Sequence, residues 1–166
     1  MHPCLSRGSF DRVVHDSSAE NAQAVAVKIR GVSRRCLVSV HEVSDHSSAS
    51  ALAAEAKTGS GRIDVLVNKA GITCDAMLHK LTEDESDEVI RVNLKGLFNM
   101  GEACAKIMVK KTSGLIINLA SVAGLGNIVQ THYSASKAGV VGTTRTWAQE
   151  LARYSIIVNA FRLIAV

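Results

Sequence analysis

The stretch Ile63-Asp64-Val65-Leu66-Val67-Asn68 decides the fold class, because it is almost continuously apolar over the length of one strand. Such a run is typical of a strand buried on both faces, as the strands of parallel sheets are. Comparable apolar runs recur at residues 12–15, 36–40, 114–119 and 155–160. Stretches with a helical pattern lie between them, at residues 19–30, 47–57, 82–110 and 133–154. Thr82 and Glu85 have the spacing of a capping box at the start of the third stretch. The alternation of strands and helices predicts an α/β fold with right-handed crossovers, in which a doubly wound parallel sheet forms the middle of three α/β/α layers.

The composition is that of one globular domain spanning residues 1–166. Hydrophobic residues make up 47% of the chain and charged residues 20%, which excludes a disordered protein. The net charge of +4 is spread along the chain, so we expect no nucleic-acid partner. The four cysteines form no CxxC motif, so we expect neither a disulfide framework nor a metal site.

The apolar residues never form a run of about 18, the length that crosses a membrane, so we expect no membrane partner. The first twelve residues also lack the apolar segment of a secretory signal. We therefore expect a protein of the cytoplasm or of an organelle matrix, and not a secreted one.

The segment Tyr133-Ser134-Ala135-Ser136-Lys137 carries the clearest chemical signal. Residues four apart lie on one face of a helix, so the phenol and the ammonium are neighbours. A free tyrosine has a pKa of about 10, and a neighbouring ammonium lowers that pKa by favouring the phenolate. The pair is therefore a candidate acid–base group, although an exposed tyrosine stacked on a lysine stem has the same spacing.

Three further features strengthen the catalytic interpretation. Ser121 ends a predicted strand twelve residues before Tyr133, and a loop of that length can bring its hydroxyl to the phenol. Asn93 lies within a long apolar helix, where an amide is out of place unless it forms a hydrogen bond. The turn 68–71 follows a strand and contains small residues, which allow a ligand to approach the backbone. Ligands of such sheets bind beyond the carboxyl ends of the strands.

In order and spacing, Asn68-x-Ala70-Gly71, Asn93, Ser121 and Tyr133-x-x-x-Lys137 resemble the short-chain dehydrogenase/reductase family. The resemblance covers about residues 13–160 and is greatest to the 3-oxoacyl-acyl-carrier-protein reductases. It implies a Rossmann-like fold, a cofactor that is NAD(H) or NADP(H), and a small-molecule carbonyl or acyl-carrier thioester as substrate.

The same resemblance implies a role for each catalytic residue. Tyr133 would protonate the carbonyl oxygen, and Ser121 would stabilise the charge that develops on it. Lys137 would lower the pKa of the tyrosine and bind the nicotinamide ribose. Asn93 would position a water that relays protons to Lys137.

The resemblance also implies a cofactor site along the strand ends. Asn68, Ala70 and Gly71 would line the adenosine side, with Glu42 and Val43 near the adenine.

Asp16 bears on the choice of cofactor. An acidic residue at the end of its strand can bind the ribose hydroxyls and repel a 2′-phosphate, which favours NAD(H). An aspartate that caps the following helix is an equal alternative.

Both ends of the chain depart from the family pattern. Only about a dozen residues precede the strand that corresponds to the family's second, so we expect the first strand and its glycine-rich loop to be missing. After residue 160 we likewise expect the C-terminal strand to be missing. The sheet should therefore be incomplete, with divergent segments at residues 1–11 and 161–166.

Two functions follow from these features. The first is an NAD(P)-dependent ketone reductase. The second is a truncated, catalytically weak family member that acts as an oligomerisation or binding module. The resemblance implies a homodimer or homotetramer formed through helices 82–110 and 133–154, with Leu97, Met100 and Trp147 as exposed contacts. The alternative is that these three side chains pack on the chain's own sheet.

Overall fold

The computed structural model describes residues 11–30 and 36–164. Five strands and five α-helices alternate along these residues. The strands are β1 (Arg12–Asp16), β2 (Cys36–Val40), β3 (Val65–Asn68), β4 (Gly114–Ser121) and β5 (Ile156–Leu163). The helices are α1 (Ala19–Arg30), α2 (His46–Ser60), α3 (Glu83–Ile90), α4 (Gly96–Lys111) and α5 (Thr131–Leu151).

The described strands form two pieces of sheet, and within each piece the strands are parallel. β1 pairs with β2, and the second piece has the order β3-β4-β5. Within the described residues, no strand is hydrogen-bonded between β1 and β3. The prediction of a parallel, Rossmann-like α/β fold with an incomplete sheet is therefore confirmed.

Helices pack on opposite faces of these strands. Successive residues of a strand point to opposite faces, and this divides β1 between two cores. Val14 packs with α1, whereas Val13 packs against the main core, which α2, α4, β3, β4 and β5 build. On the other face of the larger piece, Val65, Ile157 and Phe161 are exposed. The described residues therefore cover that face of β3–β5 only in part.

The capping signals in the sequence set the helix ends. Asp45 accepts a hydrogen bond from the Ser48 amide to begin α2, and Gly61 ends it with a φ of 77°. Thr82 and Glu85 form a reciprocal capping box at the start of α3, as predicted. No helix among the described residues has the length and apolar character needed to cross a bilayer.

The helix predicted at 82–110 runs from Glu83 to Lys111 and contains one π-helical turn. This π-turn, Arg91–Lys95, joins α3 to α4. At the chain's end, β5 continues to Leu163 instead of stopping near residue 160, because β4 also extends and pairs Ser121 with Leu163. Residues 161–163, predicted as a divergent end, therefore belong to the sheet.

The exposed contacts predicted for an oligomer are wrong for two of the three side chains. Leu97 and Met100 are only 7% and 8% exposed, because both pack into the chain's own core. Trp147 is half-buried and packs against the same core clusters. The alternative, that these residues cover the chain's own sheet, is the one observed.

Gly101 permits a close approach between α4 and α5. A methyl group in place of its hydrogen would overlap the Trp147 ring. We expect Gly101→Ala to lower the free energy of unfolding by about 1–3 kcal/mol, the usual range for overpacking. Gly142 in α5 has open space around it, so the control Gly142→Ala should raise stability by up to about 1 kcal/mol. Thermal unfolding of the two variants measures both effects, and equal changes would contradict this account of Gly101.

Candidate active site

Tyr133 and Lys137 occupy successive turns at the start of α5 and face the same side. The Lys137 Nζ lies 5.6 Å from the centroid of the Tyr133 ring. The tyrosine is half-buried, whereas the lysine is only 6% exposed. The lysine is therefore not the exposed stem of a surface stacking pair.

A backbone carbonyl holds Lys137 in place. Its Nζ donates a hydrogen bond of 2.9 Å to the carbonyl of Leu119, near the end of β4. Burial lowers the pKa of the Lys137 ammonium, because removal from water disfavours the charged form. The contact fixes the ammonium at the carboxyl end of the sheet.

The lowered pKa gives a testable dependence of stability on pH. Between the pKa of folded Lys137 and the ordinary value of 10.5, the unfolded chain binds more protons than the folded one. The wild type should therefore gain stability as the pH rises through this window, and Lys137→Met should lack this gain. Urea unfolding at a series of pH values from neutral upward measures this gain in the free energy of unfolding. The control is Lys28→Met, at an exposed position on α1, which should keep the wild-type gain. Parallel profiles for wild type and Lys137→Met would contradict the burial argument.

Ser121 ends β4 and caps the short 3₁₀ turn that follows. Its Oγ accepts a hydrogen bond of 3.1 Å from the Ala123 amide. This turn packs on α5 closely enough that a methyl group on Gly124 would lie 3.0 Å from the Ala138 amide nitrogen. The serine is therefore held beside the part of α5 that carries Lys137.

Asn93 is buried in the π-turn, and both its amide oxygen and its amide nitrogen are hydrogen-bonded. Its Oδ1 accepts from the Ile72 amide at 2.8 Å, and its Nδ2 donates to the Ile72 carbonyl at 2.9 Å. The Nδ2 also donates to Ser136 Oγ at 3.2 Å. Asn93 thus joins the turn after β3 to α5, which explains an amide in an apolar helix. π-Turns of this kind occur frequently at functional sites.

The turn after β3 lies against this group. A methyl group on Gly71 would lie 3.2 Å from Asn93 Oδ1 and 3.6 Å from Lys137 Nζ. Gly71 and Ala70 are exposed, so their backbone is open to a ligand. Asn68 instead directs its Nδ2 to Asn118 at 2.9 Å.

The other residues predicted for the cofactor site, Asp16, Glu42 and Val43, lie at or just beyond the ends of β1 and β2. Asp16 ends β1, and its Oδ1 accepts from the Ser18 amide at 2.9 Å at the start of α1. Glu42 is exposed and caps the Ser44 amide, whereas the Val43 side chain is buried in the main core. The Val43 side chain is therefore not available to a ligand, and its carbonyl accepts from Asn99 Nδ2 at 2.9 Å. Among the described residues, no hydrogen bond or ion pair joins Asp16 directly to Tyr133 or Lys137.

Arg91 connects the two groups of residues and was not predicted. It stands on the same π-turn as Asn93 and hydrogen-bonds Ser44 Oγ, which in turn donates to Glu42 at 2.8 Å. Ser136 was also missed, although it accepts from Asn93 and donates to the Tyr133 carbonyl at 2.7 Å. The sequence signal for Ser136 was its place between Tyr133 and Lys137.

Known proteins are similar to this chain in both sequence and fold. Residues 5–166 match the family model described as short chain dehydrogenase. The chain is 44% identical to the 3-oxoacyl-[acyl-carrier-protein] reductase FabG of Thermotoga maritima, over 89% of this chain and 61% of that protein. It is 45% identical to an acetoacetyl-CoA reductase of Acinetobacter, over 71% of this chain and 48% of that one.

Solved structures agree in fold. NAD⁺-bound xylitol dehydrogenase superposes with a TM-score of 0.91 at 26% identity, covering 93% of this chain and 60% of the other. A gluconate 5-dehydrogenase of Burkholderia cenocepacia, in complex with NADP and tartrate, gives 0.86 at 33% identity, covering 92% and 60%. The chain thus spans about 60% of the length of these proteins.

Proposed function

Because this chain belongs to the short-chain dehydrogenase family, we propose that it is an NAD(P)-dependent oxidoreductase that reduces a ketone to a secondary alcohol. The substrate class we propose is a 3-oxoacyl thioester, which becomes the 3-hydroxy form. The identity to reductases named for 3-oxoacyl and acetoacetyl thioesters supports this choice.

The observation that carries the proposal is the placement of Lys137. A buried ammonium is costly unless it is hydrogen-bonded, and this one is held between the Leu119 carbonyl and the Tyr133 ring. A fixed cation at that point would stabilise the negative charge that develops on the phenol oxygen as its proton is transferred. The arrangement therefore suits a phenol that gives up and regains a proton.

The proposed reaction assigns one task to each side chain. When bound, the nicotinamide supplies a hydride to the carbonyl carbon. The Tyr133 phenol donates its proton to the carbonyl oxygen and becomes a phenolate. The Ser121 hydroxyl donates a hydrogen bond to the same oxygen, where negative charge develops. Lys137 stabilises the phenolate, and a water held at Asn93 returns a proton through Lys137.

The nicotinamide end of the cofactor fits the residues observed. A side chain at Gly71 would crowd Asn93 and Lys137, so the glycine leaves room there for a ribose that Lys137 would bind. Asn68 and Ala70 would line the adenosine side, with Glu42 and the Val43 backbone near the adenine. The free oxygen of Asp16 would accept from the ribose hydroxyls, which favours NAD(H) over NADP(H).

The proposal is tested by incubating the purified chain with acetoacetyl-CoA and NADH or NADPH. We expect consumption of the nicotinamide and formation of the 3-hydroxy thioester. Boiled protein and Lys137→Met are the controls. No turnover with either cofactor would contradict the proposed function.

The partly uncovered face of β3–β5 favours a second candidate, an oligomerisation or binding module of low activity. Val65, Ile157 and Phe161 expose apolar surface there, and such surface tends to mark an interface. Sedimentation of the chain with and without cofactor distinguishes the two candidates. A stable homodimer or homotetramer without turnover would support the module.

A further inference from the structure

Three side-chain hydrogen bonds form a continuous chain through the core. Asn68 Nδ2 donates to Asn118 Oδ1 at 2.9 Å, and Asn118 Nδ2 donates to Thr144 Oγ1 at 2.9 Å. The Thr144 hydroxyl then donates to the Val140 carbonyl at 2.7 Å. The chain thus joins the ends of β3 and β4 to the middle of α5.

The central member of this chain is fully enclosed. Asn118 is 0% exposed and Thr144 is 6% exposed. Apolar residues of the same shape would fill this space at similar or lower free energy, because buried polar pairs add little net stability. Packing alone therefore does not explain why an amide and a hydroxyl occupy these two positions. A requirement that α5 hold one fixed position on the sheet does explain it.

That position is the height and rotation of α5 against β4. Tyr133, Lys137, Val140 and Thr144 recur at helical spacing, so all four lie on the face that meets the sheet. Thr144 is bonded to Asn118, and Lys137 is bonded to the carbonyl of the next residue, Leu119. Two adjacent residues of β4 therefore anchor α5 at two points on one face.

We propose that Asn118 and Thr144 are positioning residues that seat α5 on β4, so that Lys137 stays on the Leu119 carbonyl beside Tyr133. The catalytic consequence rests on the proposed function, whereas the placement of Lys137 does not. Without the Thr144 anchor, α5 shifts, Lys137 becomes more hydrated, and the tyrosine loses its aligned cation. Misplacement of a catalytic group by about 1 Å can cost up to a hundredfold in rate.

The test compares matched threonine substitutions on one helix. Thr144→Val removes the hydroxyl at constant shape, and Thr144→Ser restores it. The control is Thr146→Val, because exposed Thr146 makes the same kind of bond to the carbonyl four residues earlier, at 3.3 Å from Gly142, without an Asn118 contact. If Thr144→Val does not fold, Asn118→Leu/Thr144→Val replaces both members of the buried bonding pair by apolar residues, so that neither is left facing a missing partner. The half-buried Asn68 Nδ2 then loses its Asn118 acceptor.

Two readouts separate this inference from the proposed function. The first is the ¹³Cε resonance of Lys137 against pH, assigned with Lys137→Met, which requires no turnover. In Thr144→Val the pH midpoint of the Lys137 titration should rise toward that of an ordinary lysine. In Thr144→Ser and Thr146→Val this midpoint should stay at the wild-type value. The second is kcat for acetoacetyl-CoA, which should fall at least tenfold in Thr144→Val with KM unchanged.

The outcomes are distinct. A shifted Lys137 midpoint confined to the Thr144→Val and double variants supports the inference, even if no variant turns over and the proposed function fails. A folded Thr144→Val or double variant with the wild-type midpoint and wild-type kcat overturns it. A lowered melting temperature with an unchanged midpoint also overturns it, because the pair then has only a structural role.

Discussion

We expect Tyr133→Phe to lower the rate of the proposed carbonyl reduction about a thousandfold and to leave cofactor affinity unchanged. The substitution removes the phenolic proton that the reaction delivers to the carbonyl oxygen, and keeps the ring that faces the Lys137 ammonium at 5.6 Å. Binding of the nicotinamide ribose depends on Lys137 in this account, so it should survive. Single-turnover kinetics with acetoacetyl-CoA, together with a cofactor titration, measure both quantities.

The chain offers a matched control for this substitution. Tyr154 is the only other tyrosine of the sequence and lies beyond the far end of α5, with Arg153 over its ring at 4.8 Å. Tyr154→Phe should therefore reduce the carbonyl at the wild-type rate. Equal loss in the two variants, or full activity in Tyr133→Phe, would show that Tyr133 is not the proton donor.

We expect Asn93→Leu to have the second large effect, a loss of stability. The substitution removes two hydrogen bonds to the Ile72 backbone and one to the Ser136 hydroxyl, which keeps its bond to the Tyr133 carbonyl. Because Ile72 is 37% exposed, water can replace part of this bonding, and we expect the free energy of unfolding to fall by about 1–3 kcal/mol. Denaturant unfolding measures this loss.

A second asparagine gives the comparison for that loss. Asn127 is exposed, and its side-chain amide donates to Gln130 Oε1 at 2.8 Å. Asn127→Leu should change stability by less than about 0.5 kcal/mol. If Asn93→Leu is as stable as Asn127→Leu, the three bonds to Asn93 do not hold the turn after β3 to α5.

The features that could be predicted from the sequence are those that depend on one helix or one strand alone. Apolar runs located the five strands that the structure describes, and β2 begins and ends where its run does, at Cys36 and Val40. The capping box at Thr82 placed the start of α3. The mismatch of an amide in an apolar helix identified Asn93 as a bonded residue. These signals are local, so they do not depend on how the elements pack.

The features that could not be predicted depend on packing between elements. The π-turn at Arg91–Lys95 adds one residue to a helical turn, and the apolar pattern of the sequence does not mark it. Helical periodicity identified the apolar stripe with Leu97 and Met100, but not whether it faced the chain's own sheet or a partner. Asn118 was overlooked within its apolar strand, although the argument applied to Asn93 would have found it.

Binding of the nicotinamide cofactor to the whole chain tests the central claim most directly. NADH and NADPH are titrated separately into the 166-residue protein, and binding is followed by nicotinamide fluorescence. The account predicts saturable binding in the micromolar range, tighter for NADH, with the preference for NADH weakened in Asp16→Ser. No saturable binding of either cofactor up to millimolar concentration would contradict the account. Ser121, Tyr133 and Lys137 would then form no working site in this chain.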